Sequence, residues 1–294
     1  MAPRHIALAV LTAAIWGFNF VAIRVGLDTF PPLLLTTLRF ILAALPALVI
    51  RPPKLPLRQL LLISATLFLG QFVFVFLGID NGMPPGLSSL VIQAQSFFTI
   101  LLAALMLGEK PSVRQLSGVA VAFCGLGLIA LSVGVDVTYL GLGLTLIAAL
   151  SFGLGNVLMR GAGKVDMLPM VVWMSVILPI PSFLLSLMFE GWPVIVASMA
   201  KADLLAYGAV FYLAVPTTLI GFGIWGLLLK TYPAGTVAPF ALLVPLFGML
   251  SAALVLGERF PPVRFAGMAL IVGGLLILAA PLQRLRNRRR ARVG

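Results

Sequence analysis

The sequence is short of charge, of cysteine and of histidine, and each shortage removes a class of function. Only 10% of its 294 residues are charged while 61% are hydrophobic, whereas a soluble domain carries roughly 25% charged residues. Apolar runs of about 20 residues, the length a helix needs to cross a bilayer core, follow one another with few charges inside them. The chain is therefore expected to be an all-α integral membrane protein. Its one cysteine, Cys124, excludes an intrachain disulfide, and its place in an apolar run makes it a small packing residue. The one histidine, His5, precedes the first run, and the sequence contains no HExxH, no Walker A loop and no carboxylate pair inside a span. Neither an enzyme nor an ATP-driven pump is expected, and no cofactor or metal.

Twenty Lys and Arg stand against eight Asp and Glu, but the excess does not point to nucleic acid. Six of the arginines fall between Arg284 and Arg292, directly after the last apolar run. Such a tail fits the anionic cytoplasmic leaflet, which attracts each basic residue by about 1 kcal/mol. Apolar runs predict spans near 6–25, 32–50, 59–79, 85–107, 114–133, 139–160, 167–189, 204–229, 234–256 and 263–281. The first continues through Trp16, Gly17 and Asn19 to Arg24 without a small-residue cleavage site, so it reads as a retained span. With a cytoplasmic amino terminus, fifteen Lys and Arg lie inside and Arg24, Lys201, Arg259 and Arg264 outside. The positive-inside rule then places both termini in the cytoplasm of a bacterial-type inner membrane.

An internal repeat is legible. Gly108-Glu109-Lys110 and Gly118 recur as Gly257-Glu258-Arg259 and Gly267, with Gly86 matching Gly235 and Gly125 matching Gly274, all 149 residues apart. Gly17 and Arg24 match Gly153 and Arg160 at a spacing of 136, and the difference falls mostly between Glu190 and Lys201. Five spans are an odd number, so the second copy must enter from the other side, giving an inverted repeat of the kind transporters use. The expected units are 1–136, 137–283 and a basic tail, 284–294. Gly118, Ala122 and Gly125, echoed by Gly267 and Gly274, read as a close-packing stripe.

Trp16-Gly17-x-Asn19-Phe20, Leu38-Arg39-Phe40 and the two Leu-Gly-Glu-basic signatures at 107–110 and 256–259 together resemble the drug/metabolite transporter superfamily, and its EamA-like families in particular. The resemblance covers nearly the whole chain. It implies a ten-helix basket around a central cavity, and efflux of amino acids, related metabolites or organic cations. Gln93-Ala94-Gln95-Ser96-Phe97-Phe98-Thr99 resembles the amino-acid exporter branches, cysteine-pathway and aromatic ones included. Ser96 stands where the second half has Pro245, which marks the fourth span as a place to seek specificity.

Arg39 is the one formal charge well inside a span, and an arginine at the centre of a bilayer costs roughly 2.5 to 3.5 kcal/mol on insertion scales. It needs a partner, either a substrate carboxylate or a structural tie to helix ends and loops. Thr12, Trp16 and Asn19 share one face of the first span; Ser89, Gln93 and Ser96 share one of the fourth; Thr145, Phe152 and Asn156 share one of the sixth. Lipid offers such groups no hydrogen bonds, so these faces should turn inward, as interhelical ties or as a cavity wall. The candidate substrate-binding residues are Trp16, Asn19, Arg39, Gln71, Gln93, Ser96, Phe97, Phe152, Asn156 and Tyr212. Pro216, Gly221 and Gly223 in the eighth span, and Pro239 and Pro245 in the ninth, mark expected kinks. An amino-acid exporter working by alternating access is the leading expectation. Efflux of organic cations or other metabolites is the alternative, and a membrane scaffold or lipid-handling protein the distant one. A small molecule and membrane lipid are the expected partners; the sequence does not fix the oligomeric state.

Overall fold

The computed structural model describes residues 1–131, 137–163, 165–232 and 234–279. Asp136, Lys164 and the basic segment 284–294, which carry part of the charge count and of the expected boundaries, lie outside the described residues. Among the described residues every regular element is helical. Apart from a single turn at Ala234–Val237, in chain order these are α1 (Pro3–Leu27), α2 (Pro32–Leu48), α3 (Leu57–Asp80), α4 (Pro85–Leu107), α5 (Val113–Leu131) and α6 (Tyr139–Gly161). There follow α7 (Met167–Phe189), α8 (Trp192–Lys201), α9 (Leu204–Thr231), α10 (Pro239–Leu256) and α11 (Pro262–Ala279). Seven of these, α1, α3, α4, α6, α7, α9 and α10, are long and apolar enough to cross a membrane, and α2, α5 and α11 are shorter apolar helices. The chain is a multi-pass membrane protein. Large side chains such as Leu105, Met188, Phe189 and Leu254 stand more than three-quarters exposed, which only a lipid surround stabilises.

The helix ends follow local chemistry. Proline opens α1, α2, α4 and α11, where its missing N–H would in any case find no partner. Thr138 caps α6 by accepting from the Gly141 N–H at 2.9 Å, and Asp203 caps α9 by accepting from Ala206 at 2.8 Å. Gly108 and Gly257 end α4 and α10 at φ 66° and 68°, a left-handed turn that disfavours other residues. One element was not expected: α8 turns the stretch that absorbs the repeat's unequal spacing into a helix of its own, started by Trp192-Pro193.

Two pairs of helices carry matching irregularities. Ser64–Gly70 in α3 and Leu213–Gly221 in α9 are π-helical, the latter around Pro216. Ile92–Ala94 in α4 and Ala238–Leu242 at the start of α10 are tighter 3-10 turns. The packing is paired in the same way. α1 lies on α10 as α6 lies on α4; α3 packs on α6 as α9 packs on α1; α5 and α11, α4 and α10, and α2 and α7 pack on one another. A Cβ placed on Gly17 would fall 2.5 Å from Phe247 Cβ and 2.7 Å from Gly248 N, and one on Gly153 would fall 2.9 Å from Phe98 Cβ and 3.0 Å from Thr99 N. These contacts carry the same spacings, 136 and 149, as the repeated glycines. At the α5–α11 seam a Cβ on Gly125 meets Gly267 O at 2.6 Å, and one on Gly274 meets Gly118 O at 2.6 Å.

Candidate substrate site

The centre of the bundle begins with α1. Trp16, about halfway along it, is half-buried and donates its Nε1–H to the backbone oxygen of Thr217 at 3.1 Å. That carbonyl lies in the π-helical stretch of α9, where the regular bonding ladder is widened and a carbonyl is free to accept from another helix. Phe222 and Trp225 pack on the Trp16 ring at centroid distances of 5.1 and 5.2 Å, and Phe68 of α3 continues the wall at 5.5 Å from Phe222. One turn further along α1, Asn19 is 5% exposed, and its Oδ1 is buried without a hydrogen-bond partner.

Arg39 is fully buried. Its Nε and Nη2 donate to Thr218 Oγ1 at 3.2 and 3.0 Å, while the Thr218 hydroxyl donates to Leu213 O at 2.8 Å. The guanidinium carbon lies 3.9 Å from the centre of the Phe72 ring, a cation–π contact. Nη1 is buried with no partner, and no carboxylate among the described residues pairs with Arg39. Thr217 Oγ1, 3% exposed, is a further buried polar atom without a partner. Arg39 is thus tied to α9 by two of its nitrogens and unpaired at the third.

Across the bundle the amides of α4 and α6 satisfy each other. Asn156 Nδ2 donates to Gln95 Oε1 at 2.6 Å and to Thr99 Oγ1 at 3.3 Å, and Gln95 Nε2 donates to Ser96 Oγ at 3.0 Å. Gln93 Nε2 donates to Ala241 O at 3.3 Å, tying α4 to the 3-10 turn at the start of α10. Gln71 is half-buried at the end of the π-helical stretch of α3, and Phe152 is half-buried beside α4. Phe97 is fully buried in the packed core rather than on an open face. The Tyr212 hydroxyl donates to Ile15 O at 3.0 Å, and its ring lines a mostly apolar cavity of about 320 Å³ between α1, α9 and α10. The structure therefore ties Trp16 and Arg39 to α9, with buried Asn19 three positions beyond Trp16 on α1, and brings Gln95, Ser96 and Asn156 together between α4 and α6.

Thr217, Thr218, Phe68, Phe72, Phe222 and Trp225 were not among the residues expected from sequence. Pro216 was the available signal, since a proline in mid-helix frees carbonyls close to itself.

Comparison with known proteins settles the class. The model of the EamA-like transporter family matches residues 4–131 and again 139–280. This chain belongs to the EamA-like transporter family. It is accordingly a membrane transporter and not an enzyme. An EamA-like relative from Escherichia coli (strain K12), named "Probable amino-acid metabolite efflux pump", is 43% identical over 94% of this chain and 95% of its own. The "Probable terminal-alkyne amino-acid exporter" of Streptantibioticus cattleyicolor is 30% identical over 92% of this chain and 91% of its own. The E. coli (strain K12) "Uncharacterized inner membrane transporter YedA" is 24% identical over 90% of this chain. A solved structure covers 95% of this EamA-like chain and 97% of its own with a TM-score of 0.65 at 18% identity, a likeness of fold alone.

Proposed function

We propose that this transporter exports amino acids across the bacterial inner membrane, without ATP hydrolysis, by alternating access of two inverted five-span repeats, 1–136 and 137–283. In this reading ten spans surround the site, both termini and the 284–294 tail are cytoplasmic, and broad selectivity includes aromatic side chains. The paired kinks and the matching glycine contacts support the repeat, and the names of the relatives support the cargo and the membrane.

The observation that carries the reading is the coincidence, at half-height, of a buried unpaired guanidinium edge, a buried unpaired amide oxygen and an aromatic wall. A scaffold gains nothing from burying such atoms unpaired inside a membrane protein, where each unsatisfied group is costly. An organic cation suits the Trp16–Phe222–Trp225 wall but not Arg39, whose charge repels it in a medium of low dielectric. Counterflow into liposomes holding purified protein, run with the twenty labelled amino acids and a panel of quaternary amines, tests the proposal. Amino acids are expected to exchange and quaternary amines to fail; the opposite result overturns it.

A further inference from the structure

Among the many polar groups of the spans, most hydroxyls are consumed locally, bonding the carbonyl four residues back, as Thr12, Thr36, Thr37, Ser64, Thr145 and Ser175 do. The α4–α6 amides are consumed by one another. Against that background, the buried atoms without partners around α9 are specific in kind. Arg39 Nη1 is a charged donor, Asn19 Oδ1 an acceptor, and Thr217 Oγ1 a hydroxyl that can accept from an ammonium or donate to a carboxylate. They are linked through one short segment: Thr218 holds Arg39, and the neighbouring Thr217 carries both the free hydroxyl and the carbonyl that accepts from Trp16. Trp16 in turn precedes Asn19 by three positions on α1, so the two share a face.

Resting on the reading of this chain as an amino-acid exporter, we propose that the substrate's head group binds here, between α1, α2 and the π-helical stretch of α9. Its carboxylate accepts from Arg39 Nη1, and its ammonium donates to Asn19 Oδ1 and Thr217 Oγ1. The side chain lies along the Trp16–Phe222–Trp225 wall. The complementarity is one of number and sign: a zwitterion brings an anion for the donor and a cation for the acceptors, with both charges fixed by groups the fold otherwise leaves bare. Thr217 and Thr218 are the middle residues of α9, so the head group sits near the bilayer midplane, the depth at which alternating access exposes one site to either side. The Gln95–Asn156 pair, already satisfied, is assigned to the facing wall rather than to the head group.

The assignment makes the two ends of the substrate separable. Each amino acid carried in counterflow is compared with its methyl ester, which lacks the carboxylate charge, and its N-acetyl derivative, which lacks the ammonium, as competitors. Wild-type protein should prefer the free amino acid to either derivative by about tenfold or more, the range of a lost hydrogen bond to a charged group. Arg39→Gln should abolish the preference over the ester and keep that over the acetylated form; Asn19→Ala should do the reverse. A merely structural role for Arg39 lowers carriage of acid and ester together. Equal competition by the methyl ester in wild-type protein overturns the assignment even if neither variant folds, as does an acid preference that survives Arg39→Gln. If none of the twenty amino acids is carried, the exporter reading itself falls, and the head-group site with it.

Discussion

A guanidinium taken out of water costs several kcal/mol unless hydrogen bonds and opposite charge restore what hydration gave, and Arg39 recovers only part of that from Thr218 and the Phe72 ring. Trp16 is tied to the same segment by a single bond, which makes it a clean test of how α1 holds α9. Trp16→Phe keeps an aromatic ring against Phe222 and Trp225 but removes the Nε1–Thr217 bond and part of the indole's packing, so denaturation of the purified protein should register a loss of about 1 to 2 kcal/mol. Trp16→Ala should cost about 3 to 5 kcal/mol through the lost ring; equal losses in the two variants would show that the bond, not the ring, does the holding. Glu190 offers a second test, outside the spans. Its carboxylate accepts from the Leu33 and Leu34 N–H groups at 2.6 and 3.1 Å and from Ser186 Oγ at 2.5 Å, joining the end of α7 to the start of α2. Burial nevertheless raises its pKa above the usual 4.5, and the Asp80 charge adds to the shift against these hydrogen bonds. The folded protein therefore holds this proton more tightly than the unfolded chain, and the stability it contributes is full below pH 4.5 and is lost as pH rises through the raised value. The pH profile of the melting temperature should fall across that window in wild-type protein and lie flatter in Glu190→Gln; identical profiles would refute it. Trp16, Asn19 and Arg39 were legible in sequence because a polar or charged residue in an apolar run must find company. Thr217 and Thr218 were not, because a threonine in a span usually bonds its own helix, and nothing in the residue type reports that the helix has widened beneath it.

Helix irregularity also explains where the expected faces slipped. On an unbroken helix Gln93, Ser96 and Phe97 lie on one side of α4, but the 3-10 turn at Ile92–Ala94 winds each residue further than an α-helix does. Three residues at 3.0 instead of 3.6 per turn rotate the remainder by roughly 60°, carrying Phe97 into the core while Gln95 turns to Asn156. Span limits, by contrast, were readable to within a few residues, since proline starts, left-handed glycine ends and hydropathy all bear on them; the extra helix α8 was missed because a ten-residue helix at a membrane edge leaves no long apolar run. The glycine seam between α5 and α11 was likewise visible as a small-residue stripe, and its geometry now separates neighbouring positions. A Cβ on Gly274 would lie 2.6 Å from Gly118 O, a backbone atom that cannot step aside, whereas one on Gly273 meets nothing within 4 Å. Gly274→Ala should therefore destabilise the protein by about 1 to 3 kcal/mol. Gly273→Ala should be neutral or stabilising by up to about 1 kcal/mol through helix propensity. Thermal unfolding of the two variants side by side decides the matter, and equal behaviour would mean that the seam is looser than drawn.

The proposed orientation and the mode of energy coupling are properties of the entire chain. Its outside ends include α8, so with exposed Cys124 first replaced by alanine, Trp192→Cys should react with an impermeant maleimide on intact cells, and Arg4→Cys only after permeabilisation. Coupling follows from which charges lie at what depth. Among the described residues the buried polar side chains include arginines, threonines, serines and an asparagine but no Asp, Glu or His. The ion pairs Arg24–Asp28, Arg160–Glu109 and Lys230–Asp166 sit at helix ends, every side chain at least 44% exposed. Proton-driven carriers commonly pass protons through acidic or histidine side chains inside the membrane, and none stands beside Trp16, Asn19 and Arg39. An arginine is no substitute, since it stays protonated at any physiological pH. A zwitterion should then move down its own gradient in liposomes with no imposed pH difference. Membrane potential should act weakly on it and strongly on a net cationic amino acid, because one charge crossing 100 mV is worth about 2.3 kcal/mol. The decisive measurement is proton flux, read with an internal pH dye while voltage is clamped: silence during amino-acid exchange is expected. A flux in fixed ratio to the amino acid would sink the argument and direct attention to Asp80 and Glu190, the neighbouring carboxylates at the ends of α3 and α7.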